Sequence, residues 1–114
     1  MRIMIVDDRN DMRFLAREAV RNRFPDAEIT LAEDGDDAML KTREWNDYDL
    51  VITDLQMPGM DGSRLGFEIR ELGYKNILVL WTGSVRVEIP NSANFNQIIA
   101  KDRLGDYLRS YEEG

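Results

Sequence analysis

Asp49-Leu50-Val51-Ile52-Thr53-Asp54-Leu55-Gln56-Met57-Pro58-Gly59-Met60-Asp61-Gly62 is the stretch on which the fold turns. Its first part, Asp49 to Thr53, is almost wholly apolar, as a strand buried on both faces must be. That strand runs into a carboxylate, Asp54. Met57 to Gly62 then carries the Pro and Gly punctuation of a turn. Asp61 is placed to cap a helix bearing Leu65, Ile69 and Leu72. Gly66 weakens that helix by about 1 kcal/mol relative to Ala.

The same grammar repeats to either side. Arg2 to Val6 reads as a strand ending at Asp7-Asp8. Asn10 or Asp11 is expected to cap a helix with Met12, Leu15, Ala16 and Ala19 on one face, stopping before Pro25. Glu28 to Ala32 is a strand, and Asp34-Gly35-Asp36 opens a helix whose Ala38, Met39, Thr42 and Trp45 share a face. Downstream, Asn76 to Trp81 and Gln97 to Ala100 read as strands and Arg103 to Tyr111 as a helix. Alternating strands and helices predict an α/β fold: a doubly wound five-stranded parallel sheet with helices on both faces. One stretch breaks the pattern. Val85, Val87 and Ile89 alternate with Arg86 and Glu88, and Pro90 follows. The fourth helix of the series, joining the fourth strand to the fifth, is therefore expected to be short, distorted or missing. With no internal repeat, low-complexity tract or linker, residues 1–114 read as one domain.

Composition removes whole classes of function. The chain of 114 residues has 15 basic and 22 acidic residues, a net charge of −7. Such a surface repels nucleic acid and anionic lipid, so no direct nucleic-acid binding is expected. There is no Cys and no His, which excludes disulfides, thiol nucleophiles and Ser-His-Asp catalysis. No apolar run approaches the roughly 20 residues of a membrane span, and a strand begins almost at Met1. No membrane association, no signal peptide and a cytoplasmic location are expected.

Four apolar runs end in chemically active residues: Val6 in Asp7 and Asp8, Thr53 in Asp54, Trp81 in Thr82, and Ala100 in Lys101. Parallel strands bring those ends to one edge, where such sheets bind ligands. Crowded carboxylates repel one another and a hard cation relieves them. Mg2+ (or Mn2+) takes oxygen ligands, one or two of them carboxylates. Asp8 and Asp54 are the expected direct ligands, Asp7 acts through water, and the backbone carbonyl of Gln56 completes the set. A carboxylate attacking phosphorus gives an aspartyl phosphate, with Lys101 and Thr82 available for the phosphoryl oxygens. The acidic group Glu33, Asp34, Asp36 and Asp37 reads instead as a solvated helix start, and Met57 and Met60 as packing residues.

At these residues the chain resembles the receiver domains of two-component response regulators over nearly its full length. Ile3 to Asp8, Ala32 to Gly35, Asp49 to Gly62, Leu80 to Gly83 and Lys101 carry the resemblance, the Asp54–Gly62 segment most specifically. It implies a flavodoxin-like sheet of order 2-1-3-4-5. It implies Asp54 as the acceptor of a phosphoryl group from a histidine kinase or histidine phosphotransfer protein. Asp7 and Asp8 match the metal-binding pair, Thr82 the switch hydroxyl and Lys101 the family's lysine. Gln56 and Ser84 match positions that border the path of attacking water, and their polarity implies unblocked hydrolysis.

Three departures surround the usual output face. Ile98 stands where the family has Tyr or Phe. Asp102 follows Lys101 where the family has Pro, so a trans peptide is expected there. The interval from Thr82 to Lys101 is short. These features support an alternative reading: a phosphorylation-independent pseudo-receiver that acts as a protein-binding module. An enzyme with an aspartyl-phosphate intermediate is disfavoured, because such enzymes carry an acid two residues past the nucleophile and this chain has Gln56. A monomer or weak dimer with an unidentified downstream protein partner is expected, either standing alone or as part of a longer protein.

Overall fold

Five strands, β1 (Arg2–Val6), β2 (Glu28–Ala32), β3 (Leu50–Asp54), β4 (Ile77–Thr82) and β5 (Gln97–Ala100), make one parallel sheet. Their order is β2-β1-β3-β4-β5 in a computed structural model that describes residues 1–83 and 88–111. This is the doubly wound, flavodoxin-like arrangement that the alternating pattern and the resemblance predicted. β3 lies at its centre and is buried from end to end, which explains its unbroken apolar sequence.

Helices α1 (Asn10–Arg23) and α4 (Leu104–Ser110) cover one face, and α2 (Gly35–Lys41) and α3 (Gly62–Glu71) the other. On the first face Ala16, Val20, Leu104 and Leu108 pack over Ile3, Ile5, Ile52 and Val79. On the second, Ala38, Leu65 and Ile69 pack over Met4, Val51, Leu78 and Leu80. Two caps fall where the sequence placed them. Asp34 accepts from the Asp37 N–H at 2.7 Å, and Asp61 from the Arg64 N–H at 2.8 Å.

Several expectations need correction. α1 begins at Asn10 with Arg9 in the capping position and no side-chain cap; of the two expected caps, Asn10 accepts from Arg13 and Asp11 from the Arg9 guanidinium. Leu15 is 54% exposed; the buried stripe of α1 follows Ala16 and Val20 instead. α2 ends at Lys41, so Thr42 and Trp45 are not on it. Trp45 is buried through a separate 3-10 turn at Trp45–Asp47. Leu72, the C-cap of α3, is 61% exposed. β3 and β4 lie one residue later than read, and Lys101–Arg103 is a 3-10 turn ahead of α4.

Between β4 and β5 the described residues contain a 3-10 turn at Ser92–Asn94 and no α-helix. Long-range contacts from α3 hold this connector in place. Ser63 donates its hydroxyl to the Pro90 carbonyl at 2.5 Å. The Phe95 ring lies against Gly66, where a Cβ would come within 2.5 Å of it. Arg70 donates to the carbonyls of Asn94, Tyr74 and Asn76 and to the Asn96 side chain, all at 2.9 Å. The glycine that weakens α3 is thus the seat of Phe95.

Candidate functional site

Register and pleat decide which side chains meet. Val6, Thr53, Leu80 and Ile98 stand in one row across the sheet, so the residues after them point to the opposite face. Asp7, Asp54 and Trp81 are those residues, and Lys101 rejoins them from the 3-10 turn after β5. All four reach the α1–α4 face at the carboxyl edge of the sheet. Thr82 and Asp8 have the other parity. Thr82 is buried at the end of β4 opposite Ala100, while Asp8 is exposed.

Asp7 is wholly buried. Its Oδ1 accepts the Arg9 backbone N–H at 2.9 Å, and its Oδ2 accepts the Lys101 ammonium. Its own carbonyl accepts from Arg13 Nη1 at 2.5 Å. Asp54 is 8% exposed. Its Oδ1 accepts from the Leu55 N–H at 2.9 Å and lies 3.4 Å from Lys101 Nζ. Burial pushes the Asp54 carboxyl above the ordinary carboxylate range; Lys101 opposes that shift and Asp7 adds to it. One ammonium therefore serves two buried carboxylates.

The turn after β3 fixes the backbone beneath Asp54. The Gly62 N–H donates to the Leu55 carbonyl at 2.8 Å, and a Cβ on Gly62 would lie 2.0 Å from the Asp54 carbonyl oxygen. Only glycine permits that approach. Gly59 adopts φ +73°, which turns the chain at the sheet edge. An open groove of about 560 Å³ runs from Asp8 past Gln56 and Pro58 to Glu88 and Pro90.

The donor set fits a hard cation. One carboxylate oxygen from each of Asp7, Asp8 and Asp54 lies within 4.8 Å of the others, and all are oxygen ligands. Gln56 lines the groove beside Asp8. Ile98 is half-buried in the cluster on the opposite face, so no aromatic ring adjoins Thr82 from that position. The Lys101–Asp102 peptide is trans, as expected. Ser84, Val85 and Val87 lie outside the described residues.

Sequence reasoning missed two supports of the site. Arg13 braces the Asp7 carbonyl, and its place on α1, one turn from the start, was the available signal. Trp81 was read only as the apolar end of a strand. Its ring centroid lies 3.8 Å from Lys101 Nζ, and its Nε1–H donates to the Lys101 carbonyl at 3.0 Å. Its parity with Asp54 was legible once the strands were placed. Among the described residues no helix is long and apolar enough to cross a membrane.

Comparison with known proteins agrees with this geometry. The model of the response regulator receiver domain matches residues 3–105. The chemotaxis protein CheY-3 of Vibrio cholerae is 34% identical over 98 residues, covering 82% of this chain and 72% of that protein. The transcriptional regulatory protein ResD of Bacillus subtilis is 39% identical over 79 residues, 69% of this chain. The match spans only about a third of ResD, 32% of its length. Among solved structures, response regulator TrrA of Thermotoga maritima, in complex with Mg2+-BeF, is 32% identical with a TM-score of 0.79. That likeness covers 95% of this chain and 96% of that one.

Proposed function

This chain belongs to the response regulator receiver domain family, and on that premise we propose that Asp54 is its phosphoacceptor, in a single receiver unit of a two-component signalling pathway. The family is a signalling module rather than an enzyme acting on external substrates. The donor is a phosphohistidine, on a histidine kinase or a histidine phosphotransfer protein. An Asp54 carboxylate oxygen forms the bond to phosphorus as the phosphorus–nitrogen bond breaks, and the electron pair returns to the imidazole, which takes a proton from water. The observation that carries this reading is the row of Asp7, Asp54 and Lys101 at the sheet edge, with two buried carboxylates sharing one ammonium.

The remaining roles follow from chemistry. Lys101 exchanges its contact with Asp7 for a phosphoryl oxygen as a mobile point charge. The Thr82 hydroxyl donates to another phosphoryl oxygen. Asp7, Asp8, Asp54 and the Gln56 carbonyl would hold Mg2+ or Mn2+, which would offset charge on the transferring group. Gln56 and Ser84 leave water a path to the acyl phosphate, so hydrolysis resets the state. Phosphorylation biases a two-state equilibrium and alters a surface read by a downstream protein. We assign the chain to the cytoplasm, as a monomer or weak dimer.

Ile98 and the connector between β4 and β5, without an α-helix among its described residues, favour one alternative: binding of a partner without phosphorylation. Intact mass after incubation with acetyl phosphate and Mg2+ separates the two. One phosphoryl group gained by the wild type, and none by Asp54→Asn or in EDTA, supports the receiver reading. No gain by the wild type with acetyl phosphate, nor with a phosphorylated histidine phosphotransfer donor, supports the binding module.

A further inference from the structure

The steps above leave Trp81 without a part, yet Lys101 rests on it. The ring is buried, with 2% of the residue exposed. The Lys101 ammonium stands 3.8 Å from the ring centroid. The indole N–H donates to the backbone carbonyl of the same lysine at 3.0 Å. One side chain therefore fixes Lys101 at both ends. Trp is the strongest aromatic partner for a cation, and the attraction grows when water is excluded. A lysine stem is otherwise flexible and costly to order.

The placement also suits a lysine that must move. Its ammonium touches Asp7 and lies 3.4 Å from Asp54, and it has to turn toward a phosphoryl oxygen without leaving the site. The face of a ring attracts a cation without fixing its direction, unlike a hydrogen bond. Register puts Trp81 beside Asp54 in the adjacent strand, on the side away from Asp7, so the ring holds the ammonium next to the Asp54 strand end. Ile98 cannot serve, since it stands in the row facing α2 and α3.

We propose that Trp81 is a positioning residue for Lys101: the indole N–H anchors the lysine backbone and the ring face holds its ammonium beside Asp54. This rests on the reading of Asp54 as phosphoacceptor. Trp81 also packs in the α1–α4 core, so its replacement can destabilise the fold, and stability alone tests nothing.

The test combines NMR of the wild-type chain with kinetics of two variants. Protons over the face of an indole are shifted upfield, so the Lys101 ε-methylene resonance, assigned by its loss in Lys101→Arg, should lie upfield of the other two lysines, Lys41 and Lys75. Trp81→Leu should abolish that shift and slow phosphorylation by acetyl phosphate about tenfold at unchanged Mg2+ affinity, measured on folded protein. Trp81→Phe keeps a ring face and should stay within about threefold of the wild type. If Trp81→Leu does not fold, Trp81→Phe and the wild-type resonance still decide. An unshifted ε-methylene in the wild type, or phosphorylation of Trp81→Leu at the wild-type rate, overturns the proposal. A wild type that takes no phosphoryl group but shows the shifted resonance refutes the phosphoacceptor reading and leaves the placement of Lys101 standing.

Discussion

Gly62→Ala tests whether the backbone at Asp54 is held as the structure describes. The new Cβ would lie 2.0 Å from the Asp54 carbonyl oxygen, 2.9 Å from its carbonyl carbon and 3.0 Å from the Leu55 Cα. All three are backbone atoms of the strand end, so no side chain can swing aside. Reaching ordinary contact at 3.4 Å requires a displacement of about 1.4 Å between α3 and the end of β3. Overpacking costs about 1–3 kcal/mol where side chains can adjust, and this site belongs at the upper end. Ala gains back up to about 1 kcal/mol as a helix former. The net loss is about 2–3 kcal/mol, or roughly 10–20 °C in Tm for a domain of this size. The same displacement moves the Asp54 carboxylate, and errors of about 1 Å in a reacting group cost around 100-fold in rate. Urea melts give the first number and phosphorylation by acetyl phosphate the second. Gly83→Ala is the control, since its Cβ meets nothing within 4 Å among the described residues. Wild-type stability and rate in Gly62→Ala would refute the argument.

Other residues make separate predictions. Gly66→Ala should destabilise by about 1–2 kcal/mol, because its Cβ meets the Phe95 ring at 2.5 Å; in a Phe95→Ala background the same change should be neutral or stabilising by up to about 1 kcal/mol, which a double-mutant cycle in urea measures. Arg70→Met removes two hydrogen bonds to the connector, at Asn94 and Asn96, and two to the α3–β4 turn, at Tyr74 and Asn76, and should cost about 2–3 kcal/mol, with faster amide exchange at Phe95 and Asn96 than in the wild type. Asp54 holds its proton more tightly folded than unfolded, because burial outweighs Lys101. Its ionisation therefore lowers stability as pH rises from the unfolded carboxylate range through the raised folded value. Asp54→Asn should accordingly be more stable than the wild type at pH 7, with the gap closing as pH falls from the raised folded value toward about 4; equal stability at pH 7 would contradict this.

The parts of the fold legible in the sequence were those written in local patterns. The apolar run of β3 and the caps Asp34 and Asp61 each depend on a few neighbouring residues, and each stands within a residue of its expected place. The site was legible because parallel topology carries strand ends to one edge, so four short motifs sufficed. What failed depended on side-chain partners that the local pattern does not name. Asn10 and Asp11 are good caps in isolation, but Arg13 takes up the Asn10 side chain and Arg9 the Asp11 carboxylate. Helical period alone could not separate Leu15 from Ala16, since only the packing of α4 against α1 selects the buried stripe. The hold of Arg70 on Asn94 and Asn96, more than twenty residues away, has no local signal. Trp81 was hidden because its apolar ring suited a buried strand whether or not a lysine stood over it.

The central claim is that Asp54 itself carries the phosphoryl group. Borohydride reduces an acyl phosphate to the alcohol, so an aspartyl phosphate is recorded as homoserine in the chain. The chain should be loaded with acetyl phosphate and Mg2+, reduced, digested and sequenced by tandem mass spectrometry. Homoserine is expected at position 54 and nowhere else, and absent from an EDTA sample. Homoserine at position 7 or 8, or an unreduced Asp54 in a chain that has gained phosphoryl mass, would contradict it.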